Sequence, residues 1–71
     1  MAKFKEVARM TVNDSRDIVM SQVVEDGEVK GVVINNYITA DSYSGFAKGG
    51  VLIPSDKLIE FSEIVKAVLV S

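Results

Sequence analysis

Neither cysteine nor histidine occurs anywhere in the 71 residues. The missing cysteines rule out disulfide staples, and the two absences together remove the usual zinc ligands, so neither common support for a very small fold is available. Also missing is any apolar run near the roughly 18 to 20 residues that a membrane-spanning helix needs. The opening Met1-Ala2-Lys3-Phe4-Lys5-Glu6-Val7 mixes charges of both signs and holds no apolar h-region. It does not read as a secretory signal, so an intracellular, cytoplasmic setting without a membrane partner is expected. A basic excess is lacking as well. Eight Lys and Arg stand against ten Asp and Glu, a net charge of −2, which argues against the strong cationic footprint of many nucleic-acid binders.

What is present is apolar: 48% of the chain is hydrophobic. A single domain spanning residues 1–71 buries only roughly 60% of its unfolded surface, so its monomeric core is thin. With disulfides and zinc excluded, self-association is the remaining support, and a homodimer is expected.

The pattern along the chain predicts an α+β fold, a four-stranded antiparallel sheet followed by one C-terminal helix. Residues 4 to 12 alternate with period two, interrupted at Glu6 and Val7, and read as the first strand. Asn13-Asp14-Ser15-Arg16 carries side chains that bond their own backbone in tight turns. Residues 17 to 25 form the second strand. Asp26-Gly27, which tolerates positive φ at both central positions of a type I′ turn, joins it to a third strand over 28 to 39. With that turn, Val24 faces Val29, Val23 faces Lys30, Met20 faces Val33 and Val19 faces Ile34. One face of the hairpin then carries Ile18, Met20, Gln22, Val24, Val29 and Val33, and the other Val19, Val23, Val32, Ile34 and Ile38. Two apolar faces require two coverings. The helix supplies one; the second is a partner chain, a ligand, or both.

Residues 40 to 50 show no sustained period and read as a mobile loop. A short strand over 50 to 54 ends at Pro54, which cannot donate to a ladder. Ser55 or Asp56 then caps a helix over about 55 to 70. Its apolar stripe, including Phe61, Val65, Val68 and Leu69, is too broad for one small sheet, so these residues are expected at the dimer interface.

Catalysis has little to work with. Asp14, Asp17, Glu25, Asp26 and Glu28 lie at or beside turns, where carboxylates are ordinarily solvated, and they lack the spacing of an EF-hand loop. Gly45-Phe46-Ala47-Lys48-Gly49-Gly50 is followed by neither Gly-Lys-Ser/Thr nor a helix, so it is not a phosphate-binding P-loop. No enzyme activity, cofactor or metal is expected.

A binding surface has better support. Unpaired bases stack on aromatic faces while their phosphates meet cations. Tyr37, Tyr43, Phe46, Lys30 and Lys48 cluster in one strand and the loop after it, and Lys5 and Arg9 share a parity on the first strand. Each residue also has a plainer role: Tyr37 as a core or interface aromatic, Tyr43 and Phe46 in loop packing, the lysines in solubility. The constellation favours binding of a single-stranded nucleic acid; a protein-interaction or structural module of the same fold is the competing reading.

The order of motifs in the second half resembles the positive cofactor four family of single-stranded DNA-binding transcriptional coactivators and their small bacterial and phage relatives. The resemblance covers residues 30 to 69. It lies in the strand end Val33-Ile34-Asn35-Asn36-Tyr37, in Lys48-Gly49-Gly50-Val51-Leu52-Ile53-Pro54, and in the helix opening Ser55-Asp56-Lys57-Leu58-Ile59-Glu60-Phe61. It implies a homodimer whose curved sheets form channels for single strands, serving transcription, replication or repair. By position it puts Asn35 where the family has an arginine, with Tyr37 as the aromatic and Lys48 beside the Lys-Gly step. Asn35 lacks the family charge and Gly49 replaces the family lysine. A binding surface that pairs with fewer phosphates has weaker sequence-independent affinity and a flatter salt dependence, which implies weak binding or a different ligand. The implied contacts are stacking by Tyr37, Tyr43 and Phe46, phosphate pairing by Lys5, Arg9, Lys30 and Lys48, and a hydrogen bond from Asn35 to a base or sugar.

Overall fold

A computed structural model describes residues 2–70; the two terminal residues of the 1–71 domain lie outside the described residues. The chain is α+β. Strands β1 (Lys3–Asn13), β2 (Arg16–Glu25) and β3 (Glu28–Ala40) form an antiparallel meander, followed by β4 (Tyr43–Phe46), β5 (Val51–Pro54), a 3-10 turn (Ser55–Lys57) and helix α1 (Leu58–Val70). The sheet order is β1-β2-β3-β4, and β5 also pairs with β3. Both β4 and β5 use the same edge of β3, at Tyr37–Ala40 and at Gly31–Ile34. They amount to one interrupted fourth strand.

The turns follow local chemistry. Asn13 Oδ1 accepts hydrogen bonds from the backbone N–H and the hydroxyl of Ser15 at 2.9 and 3.0 Å, closing the first turn. Asp26 and Gly27 take φ of 54° and 78°, as the type I′ expectation requires. A third tight turn, Asp41-Ser42, follows, with Ala40 paired to Tyr43. The expectation of a mobile loop over 40 to 50 is therefore corrected. Tyr43–Phe46 completes a ladder with β3, which the Ala47 N–H extends to the Asn36 carbonyl at 2.9 Å. Asp41-Ser42 lacks the glycine that marks the second turn, so the sequence carries no comparable signal there.

The hairpin register is as expected only at its tip. Glu25 pairs with Glu28 and Val24 with Val29, but a bulge then sets Val23 against Gly31, Met20 against Ile34 and Val19 against Asn35. The expected pairs Val23 with Lys30, Met20 with Val33 and Val19 with Ile34 are corrected by one residue, because Lys30 is the extra residue of the bulge. A one-residue slip exchanges faces. Val33 now joins Val19 and Val23, together with Asp17, Asn35 and Tyr37, on the first face of the sheet. Ile34, Val32 and Ile38 join Ile18 and Met20 on the second, which is more uniformly apolar.

Gly31 sits where β5 passes close to β3. A Cβ there would lie 2.6 Å from the Ile53 carbonyl oxygen and 3.1 Å from Leu52 Cδ1, so only glycine lets β5 approach. Pro54 precedes the 3-10 turn without a side-chain cap bond. The expected Ser55 or Asp56 side-chain cap is replaced by a backbone bond from the Leu58 N–H to the Ser55 carbonyl.

Val19, Gly31 and Ile53 are the only buried residues among those described. In α1, Leu58 and Phe61 are half-buried, while Ile59 and Leu69 are 77% and 81% exposed. The protein is a thin plate, 40 × 39 × 18 Å, with a radius of gyration of 13.8 Å. A compact chain of this length would have a radius near 11 Å. Its exposed surface is 5589 Å², about 1,300 Å² more than the size scaling of compact monomers gives for its mass. Among the described residues no helix is long and apolar enough to cross a membrane.

Candidate nucleic-acid interface

Two transverse rows of side chains build the polar end of the first face. The register aligns Thr11, Asp17, Tyr37 and Phe46 in one row across β1 to β4, and Arg9, Val19 and Asn35 in the next. The Arg9 guanidinium reaches diagonally across the sheet and lies 5.0 Å from the Tyr37 ring centroid, within the range of a cation–π contact. Phe46 meets Tyr37 edge-on, with centroids 5.2 Å apart and planes at 87°. Val19 lies in the register between Arg9 and Asn35, which accounts for a 1% exposed valine in so thin a plate.

Arg9 is held on its other edges by carboxylates. Its Nε and Nη2 donate to Glu6 Oε2 and Oε1 at 3.2 and 3.0 Å, and its Nη1 donates to Asp17 Oδ2 at 3.1 Å. The hydrogen bonding to Glu6 is the largest influence on the guanidinium. With the attraction of Glu6 and the bond and charge of Asp17, it outweighs desolvation and holds the guanidinium above its ordinary pKa.

This grouping depends on a bulge in β1. Glu6 pairs with Ser21 and Ala8 with Met20, so Val7 is the extra residue. Residues 6 and 9 differ in parity and would lie on opposite faces of a regular strand. With Val7 bulged they share one face. The same bulge separates Lys5, opposite Gln22 on the second face, from Arg9, opposite Val19 on the first. The expectation that Lys5 and Arg9 share a face is corrected for that reason.

The remaining candidates divide. Asn35 is on the first face, with Oδ1 accepting the Asn36 backbone N–H at 2.8 Å and its amide nitrogen beside Gly50, 3.1 Å from where a Cβ there would stand. Lys48 belongs to the three-residue excursion Lys48-Gly49-Gly50 between β4 and β5, opposite Asn35 on β3. Tyr43 lies on the second face, its hydroxyl donating to the Phe46 carbonyl at 2.9 Å. Lys30, in the bulge near the hairpin tip, pairs with Glu28 at 2.9 Å, roughly 20 Å along β3 from Tyr37. The structure thus gathers Arg9, Asn35, Tyr37, Phe46 and the Lys48 excursion, and leaves Lys5, Lys30 and Tyr43 outside. The expected interface residues Phe61, Val65, Val68 and Leu69 all lie on α1; Phe61 is half-buried and the other three are exposed.

Sequence alone does not single out Glu6 and Asp17 as partners of Arg9. Its one signal is the break in alternation at Glu6 and Val7, which marks the bulge. On the second face, an open apolar hollow of about 140 Å³ is lined by Ala8, Arg9, Met10, Ile18 and Met20. Comparison with protein-family models, with curated proteins and with solved structures returns no match.

Proposed function

We propose that the chain is a non-catalytic, homodimeric binding module for single-stranded nucleic acid, with a preference for DNA, acting in transcription, replication or repair. The observation that carries this reading is the Arg9–Tyr37–Phe46 platform on one sheet face. An edge-to-face aromatic pair beside a guanidinium suits unpaired bases, because every base has a π face and a flanking phosphate. Asn35 and the Lys48 excursion border the platform and supply a donor and a cation. The resemblance of Lys48–Pro54 and the following helix to the positive cofactor four family points the same way. The homodimer is supported by the excess exposed surface and by the open apolar stripe of α1.

Fluorescence anisotropy of a labelled oligothymidine, titrated with protein at low and then moderate salt, tests the reading. Micromolar or tighter binding that weakens as salt rises is expected. Absence of binding at low salt from a protein that sediments as a stable dimer would sink it, and would turn attention to a polypeptide ligand for the apolar second face.

A further inference from the structure

We propose that Glu6 and Asp17 act as an electrostatic brake on the interface, holding Arg9 in place on Tyr37 and repelling a phosphate that approaches its remaining N–H donors. The inference rests on the nucleic-acid reading above and names how that site's affinity is set. Three of the five guanidinium N–H donors are engaged by the two carboxylates, two of them side-on by Glu6. The guanidinium plane is committed to Tyr37 as well. With two carboxylates around one guanidinium the cluster carries net negative charge, so a phosphate meets repulsion where a bare arginine would attract it.

The arrangement is built into the strand. The Val7 bulge brings Glu6 onto the face of Arg9, and Asp17 stands in the adjacent row at the start of β2. Neither carboxylate is needed to satisfy a strand or a turn; the turn between β1 and β2 is closed by Asn13 and Ser15. Arg9 therefore positions the Tyr37 ring and contributes little to phosphate binding while the brake is set. Bases that stack on Phe46 are favoured over ligands that offer phosphates alone.

Releasing the brake adds one phosphate contact. For single strands that steepens the slope of log affinity against log salt by about 0.7, which at 50 mM salt amounts to about 8-fold tighter binding. The experiment compares wild type, E6Q/D17N and the two single variants by oligothymidine anisotropy across a salt series, with circular dichroism to verify folding. Two controls accompany them. E6Q/D17N/R9Q lacks the arginine, and E60Q/E63Q removes the same charge from exposed positions on α1.

The expected result is tighter binding and a steeper slope in E6Q/D17N, a smaller gain in each single variant, loss of the gain in the triple variant, and less than half the gain in E60Q/E63Q. Equal or weaker binding by E6Q/D17N, a gain that survives R9Q, or an equal gain in E60Q/E63Q overturns the brake. If wild type binds and E6Q/D17N binds identically, the brake alone falls. If neither binds at low salt while both remain folded, the nucleic-acid reading falls with it. Should E6Q/D17N fail to fold, the single variants carry the same comparison.

Discussion

Phe46 stands edge-on to Tyr37, centroids 5.2 Å apart, and keeps half of its own surface exposed. Tyr37 is less accessible because Arg9 lies over its ring. Phe46 is thus the more available stacking surface and Tyr37 its support. Phe46→Ala is expected to weaken oligonucleotide binding by about 5- to 150-fold, the range for loss of one stacked base. Tyr37→Phe, which keeps the ring, should leave affinity nearly unchanged. Lys48→Ala should flatten the salt slope by about 0.7 if the excursion meets one phosphate. Anisotropy titrations check all three, and unchanged affinity in both Phe46→Ala and Lys48→Ala would remove this end of the sheet from the site.

Val19 is the most deeply buried side chain among those described, yet it lies on the face that carries the polar cluster. Truncating it removes two methyl groups from a well-covered position. Val19→Ala should cost about 2 kcal/mol, the transfer free energy of the deleted groups plus a small cavity. The loss is read as a lower urea midpoint at unchanged slope. A cost under about 0.5 kcal/mol would mean that the cover over Val19 is loose in solution.

The first three strands, the Asp26-Gly27 turn and the C-terminal helix are legible in the sequence because each has a local signature: alternation, a dipeptide suited to positive φ, an apolar stripe after Pro54. The bulges at Val7 and Lys30 are not. A bulge is a relation between two strands, and one strand's sequence shows it only as a break in period, as at Glu6-Val7. Its consequences are large, since each bulge moves everything beyond it to the other face. That is why Lys5 and Arg9 part company, why Val33 and Ile34 exchange sides, and why the Arg9 ion pairs have no signature in the sequence. The aromatic pair is half legible. Tyr37 and Phe46 both stand out as aromatics beside cations, but their contact depends on the Asp41-Ser42 turn, whose residues carry no strong signal.

Gly31 offers a test of how tightly β5 is seated. A methyl group there meets the Ile53 carbonyl at 2.6 Å, and backbone cannot swing aside as a flexible side chain can. Gly31→Ala should destabilise by about 1–3 kcal/mol, the usual range for overpacking. Hydrogen exchange of the β5 amides should accelerate more than that of the β1–β2 ladder. Gly27→Ala is a useful contrast: at φ of 78° it meets nothing within 4 Å. Its cost should come from the left-handed backbone alone, about 1–2 kcal/mol. Equal acceleration of exchange in both variants would argue that β5 is no separate weak point.

The plate exposes about 1,300 Å² beyond the scaling of compact monomers, and stable interfaces bury about 800 Å² or more per partner. One self-association surface can therefore account for the excess. The exposed apolar residues Val65 and Leu69 are one turn apart on α1, on neighbouring positions of the same helical face. Val65→Asp with Leu69→Asp places two charges in that face. If it is the dimer interface, sedimentation should show at least about 30-fold weaker self-association, the scale of one hot spot worth 2 kcal/mol. Wild type should melt at higher temperature as concentration rises, because association stabilises by mass action, and the double variant should lose that dependence. A wild-type melting temperature independent of concentration would count against the dimer; a double variant that still associates would move the contact away from α1, toward the apolar second face of the sheet.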